Sequence, residues 1–92
     1  MRHLIEISDA YHFSAFVTSV QATQKMEEEL GPVSVDYVVF GMQHQLGMIA
    51  ANTMSPERPV PVIADDLLGL IALATIYLKS LLVEECPDES QH

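Results

Sequence analysis

The sequence predicts an all-α domain, either a three-helix antiparallel bundle or a helical hairpin, with a short N-terminal extended segment and assembly as a dimer. Three observations predict it. Apolar residues recur at spacings of three and four in three separate stretches, and those stretches are divided first by Gly31 and Pro32 and then by a run holding Pro56, Pro59 and Pro61. In addition, 49% of the 92 residues are hydrophobic. That is more apolar material than three short elements of one small domain can hide, which is the argument for assembly.

Residues 3–7 alternate apolar and polar, the pattern of a strand or an extended lead-in. Ser8 followed by Asp9 reads as a helix start, the hydroxyl capping and the carboxylate complementing the positive end of the dipole. Phe13, Phe16, Val17 and Val20 give the first helix, about 8–30, its apolar stripe. Beyond them Gln24, Lys25 and the acids at 27–29 suggest that its last turns run into solvent. Gly31 then supplies a left-handed cap, and Pro32 cannot continue the ladder.

Ser34 is the next N-cap and opens a helix over about 34–54. At 100° per residue, Val35, Val38, Val39, Met42, Leu46, Ile49 and Ala50 form a core stripe, and Tyr37, Phe40, His44, Met48 and Ala51 form a second apolar face. The third helix, about 62–85, has Asp65 and Asp66 near its N-terminal end. Its main stripe is Leu67, Leu70, Ile71, Ala74, Leu78 and Leu81; a second one holds Gly69, Leu73, Ile76 and Ser80, with Thr75 and Lys79 on the polar edge. Residues 1–85 form a single domain, and the acid-rich stretch 86–92 reads as a mobile tail.

Two helices with two apolar faces each would leave seven or eight side chains in water, at a cost on the order of 10 kcal/mol, comparable with the whole stability of such a domain. A self-complementary homo-oligomer is the most economical cover. The expected interface is Tyr37, Phe40, His44 and Met48 with Gly69, Leu73 and Ile76. His44 is expected to be a hydrogen-bonded interface residue, with a ligand-binding or pH-sensitive role as the alternative.

Charge limits the partners. Four Lys and Arg stand against 13 Asp and Glu, a formal net charge of −9, so direct nucleic-acid binding is not expected, while a basic protein partner is electrostatically allowed. A small acidic inhibitor or nucleic-acid mimic of the kind phages encode is a related alternative. Residues 67–83 are apolar enough to raise a membrane span. Lys79 lies inside them, acids flank both ends, and at 1.5 Å per residue they reach only about 25 Å, so no membrane association is expected. The single Cys86 and the lack of a basic-then-apolar leader point to the cytoplasm.

Chemistry is sparsely signalled. Asp9 and His12 have the i, i+3 spacing of di-metal bundles, but no second acid and His pair accompanies them. Cys86 has no neighbouring base or cation to activate it. No phosphate loop, G-x-S-x-G, H-E-x-x-H or paired C-x-x-C is present. The reading is therefore a non-enzymatic interaction module with no cofactor, metal or catalytic residue.

One resemblance bears on activity. His44-Gln45-Leu46-Gly47-Met48-Ile49-Ala50, followed by Ile63-Ala64-Asp65-Asp66-Leu67-Leu68-Gly69-Leu70, resembles the MazG-like all-α nucleotide pyrophosphohydrolases in apolar rhythm and separation. That family carries E-E-x-x-E on one helix and E-x-x-D on the next, holding Mg²⁺ against the substrate's phosphates. The first motif's acids fall here on His44, Gln45 and Met48, and the second's on Val62 and Asp65, of which only Asp65 is an acid. Met48 and Val62 offer no oxygen ligand. The resemblance thus implies an oligomeric helical scaffold whose activity is lost or changed.

Overall fold

A computed structural model of the chain describes residues 9–85, and within them every regular element is helical: α1 spans Asp9–Leu30, α2 Val35–Met54 and α3 Val60–Glu85. The expected extended segment at 3–7, the Ser8 cap and the acidic tail with Cys86 lie outside the described residues. Ser34 caps α2, its Oγ accepting from the Tyr37 N–H at 3.1 Å. Gly31 ends α1 with φ +64°, and its N–H donates to the Glu27 carbonyl at 3.1 Å.

α3 begins at Val60, earlier than its expected start near 62, because the turn closes tightly after α2. The Arg58 N–H donates to the Ser55 carbonyl, Arg58 takes φ +42°, and the Ile63 N–H already donates to the Pro59 carbonyl. Asp65 and Asp66 consequently fall beyond the first turn, where the dipole is weak, which corrects their expected role at the helix start. Asp66 has a different partner: its Oδ2 accepts from Asn52 Nδ2 at 3.4 Å.

α3 is the central element. α1 and α2 both pack on it and, among the described residues, not on each other. α1 runs parallel to α3, since Glu27 and Lys79, both near C-terminal ends, form an ion pair in which Nζ donates to the two carboxylate oxygens at 3.0 and 2.9 Å. α2 runs antiparallel, with Gly41 against Leu73 and Asn52 against Asp66. The course is up, down, up, and the first two helices both lie on the third and diverge from one another.

The packing reverses the two stripes expected of α3. Leu73 is only 5% exposed and lies against Gly41; Gly69 is covered by the Gln45 side chain; Ile76 is half-buried beside the start of α2. The expected interface stripe is therefore the inner face. Leu67, Ile71, Leu78 and Leu81, expected in the core, are exposed. The physical reason is close approach: Gly41 has no side chain, so α2 settles onto Leu73, whereas no glycine of α1 or α2 receives the Leu67–Leu81 side.

α1 is reversed along its length. Phe13 and Phe16 are exposed at 68 and 61%, while Thr23 is buried and Met26, Glu27 and Leu30 are half-buried. Burial of Thr23 is inexpensive because its Oγ1 donates to the Ser19 carbonyl at 2.8 Å, so the hydroxyl needs no outside partner. In α2, Val38 is buried, but Val35 and Leu46 of the expected core stripe are exposed.

Candidate functional site: an apolar trench between α1 and α2

Because α1 and α2 diverge, a trench opens between them along α3. Its upper part, about 610 Å³, has Met26 and Leu30 on the α1 wall, Tyr37, Phe40 and His44 on the α2 wall, and Leu73 on the floor. Its lower part, about 480 Å³, shares Met26 and Gln45 with the first and has Leu68 and Gly69 at its base. Asp36 stands at the upper rim, and Glu29, Asp65 and Lys25 at the lower. The trench is thus apolar at the bottom and predominantly acidic at the rim.

Of the seven expected interface residues, five meet here: Tyr37, Phe40 and His44 on the wall, Leu73 and Gly69 at the base. Tyr37 and Phe40 are 53 and 75% exposed, which is where the trench holds most of its uncovered apolar area. Covering each would stabilise a complex by roughly 1–2 kcal/mol. Met48 is exposed but does not line the trench, and Ile76 lines a separate small pocket with Val33, Val38 and Ser80. Met26, Leu30 and Gln45 were missed as site residues. The i, i+4, i+8 series Ala22, Met26, Leu30 was the available signal, hidden by the polar residues between them.

Chemical groups are thinly spread. Among the described residues no group of three or more His, Cys, Asp or Glu side chains is placed to hold a metal ion. His12 and His44 are both exposed. Glu27, expected to be solvated with its acidic neighbours, is instead held by Lys79, a surface pair worth about 0–1 kcal/mol.

Val60–Glu84 is long and apolar enough to cross a membrane by length and composition, with 17% of its most apolar window buried. The length objection drawn from the sequence therefore falls, since the α3 helix of 26 residues reaches about 39 Å. Asp65, Asp66 and Lys79 lie within the helix, toward its two ends.

The class defined by fold and site is an open three-helix domain with an acid-rimmed apolar trench. No protein-family model matches the chain, and no match was found among curated proteins or among solved structures.

Proposed function

We propose that the chain is a non-enzymatic helical protein–protein interaction module of the cytoplasm, homo-oligomeric, whose trench receives an amphipathic basic helix from a protein partner. The observation that carries this reading is the trench itself: exposed Tyr37 and Phe40 above a Leu73 floor, with Asp36, Glu29 and Asp65 at the rim. An amphipathic helix lays its apolar face into such a groove and leaves its polar flanks against the rim, where Lys and Arg meet the carboxylates. Aromatic anchors of this kind are enriched at the centres of interfaces.

The acids do not support the nucleic-acid mimic as well. The 13 acids stand at positions 6, 9, 27–29, 36, 57, 65–66, 84–85 and 88–89, in short clusters and single positions instead of an evenly spaced ladder. The pyrophosphohydrolase reading rests on Asp65 as its one matching carboxylate, which at the trench rim has Glu29 as its acidic neighbour.

The chain has no Trp, so a Leu- and Lys-rich amphipathic peptide carrying one Trp reports binding by its own fluorescence. The expected result is saturable binding that weakens with NaCl and falls at least about tenfold, 1.4 kcal/mol, in Phe40→Asp. Phe40 is 75% exposed, so that variant keeps its helical circular dichroism. Binding indifferent to both salt and Phe40→Asp would overturn the reading.

A further inference from the structure

The outward stripe of α3 is a second apolar surface, on the side away from the trench. Leu67, Ile71, Leu78 and Leu81 are exposed at 42, 40, 54 and 40%, with Leu70 and Ala74 half-buried among them. The four leucines are symmetric about Ala74: Leu67 and Leu81 stand seven residues to either side, Leu70 and Leu78 four, while Ile71, three residues before it, has Tyr77 as its counterpart three residues after. Steps of four and seven return to one side of a helix after about one and two turns, so these residues share a face. A two-fold axis through that face at Ala74 maps the four leucines onto one another and sets Ile71 opposite the partner's Tyr77.

We infer that a second copy of this chain packs on this stripe, α3 against α3, antiparallel about a two-fold axis at Ala74. Leu67 then meets the partner's Leu81, and Leu70 meets the partner's Leu78. Ala74, the smallest residue of the stripe, sits at the crossing point and admits helix axes about 8–10 Å apart. Phe16 and Val20 of α1, which share a groove with Ile71, extend the surface at one edge. From these exposures each copy offers on the order of 500 Å², so the pair reaches about the 1,000 Å² that a specific interface requires.

The symmetry selects the occupant. A bilayer has no register to match, and an unrelated protein gains nothing from equal spacing on both sides of Ala74, whereas a copy of the chain repeats that spacing in reverse. Charge acts in the opposite sense: each copy carries −9, so contact is apolar and tightens with salt. This inference rests on the oligomeric part of the proposed function and is independent of what the trench binds.

The test is cross-linking of the full chain in a Cys86→Ser background. Ala74→Cys is expected to form a disulfide with its own copy under mild oxidation, because residues on the axis come within the required Cα separation of about 4.4–6.8 Å. Leu67→Cys alone is expected to stay unlinked, its counterpart lying about 21 Å away along the helix, whereas Leu67→Cys with Leu81→Cys in one chain links to dimer. In light scattering the unsubstituted chain is expected to be a dimer. Leu78→Asp should be monomeric with its helical dichroism retained, since Leu78 is half exposed.

A monomeric unsubstituted chain overturns the inference, as does efficient self-linking of Leu67→Cys, which would mean parallel helices. Should Ala74→Cys itself disturb packing, the Leu67 and Leu81 pair decides. A dimer that ignores Leu78→Asp but dissociates in Phe40→Asp overturns it too, placing self-association in the trench. Chain that floats with phosphatidylcholine vesicles and loses its cross-links there would make lipid the occupant. Failure of the Trp peptide to bind, with the cross-links intact, removes the trench reading alone.

Discussion

Two glycines on α2, Gly41 and Gly47, meet opposite surroundings. A Cβ on Gly47 would touch nothing within 4 Å, whereas one on Gly41 would lie 2.9 Å from Leu73 Cδ1. Both residues cost the helix the same backbone entropy, so Gly47→Ala is expected to raise stability by about 0.5–1 kcal/mol, seen as a higher urea midpoint at constant slope. Gly41→Ala gains the same propensity but displaces a buried methyl group, and should show little or no increase. Equal stabilisation at both positions would mean that α2 does not rest on Leu73. Both stand beside the second apolar face of α2; which one lies under another helix depends on the phase of α3, and nothing local to α2 records it. Gly31 and Ser34 were legible for the converse reason, since a left-handed cap and an N-cap are complete within four residues of chain.

At the scale of the element, periodicity identified three helices but left the inward face of α3 undecided. Two apolar stripes satisfy the same 3.6-residue period, and the bulkier stripe, Leu67 to Leu81, was the natural choice for the core. The fold uses the other, because a glycine on α2 lets backbone and Leu73 approach, and close packing is decided by shape as well as by size. α1 was obscured differently: Thr23 reads as polar, yet it satisfies its own hydroxyl on Ser19 and packs as a small apolar residue. These phases predict unequal costs on one helix. Leu73→Ala should destabilise by about 2–4 kcal/mol, and Leu78→Ala, at dilutions where copies are separate, by less than about 1 kcal/mol, measured by urea unfolding. Reversed costs would restore the stripe order that periodicity suggests. Ser34→Ala removes the acceptor of the Tyr37 N–H and should cost about 1 kcal/mol without changing where the other helices begin.

For the whole molecule, charge separates the two kinds of association, and it does so with opposite signs in one experiment. The chain carries 13 acidic and 4 basic residues, and Lys79 is already committed to Glu27, so both a second copy and the fold itself meet net repulsion. The screening length falls from about 30 Å at 0.01 M to about 3 Å at 1 M ionic strength. Raising NaCl from 0.01 to about 0.5 M should therefore stabilise the fold and tighten self-association by at least about threefold, while affinity for the basic Trp peptide falls by about tenfold or more. Chloride is the appropriate anion, because sulfate strengthens apolar burial by itself and would raise both affinities. Sedimentation equilibrium follows the first quantity and peptide fluorescence the second, on the same preparation at pH 7. If both bindings weakened with salt, self-association would depend on charge pairs, and a stripe of leucines could not be its interface. If both tightened, the acidic rim would take no part in holding the peptide, and the trench would be selecting its partner by apolar shape alone.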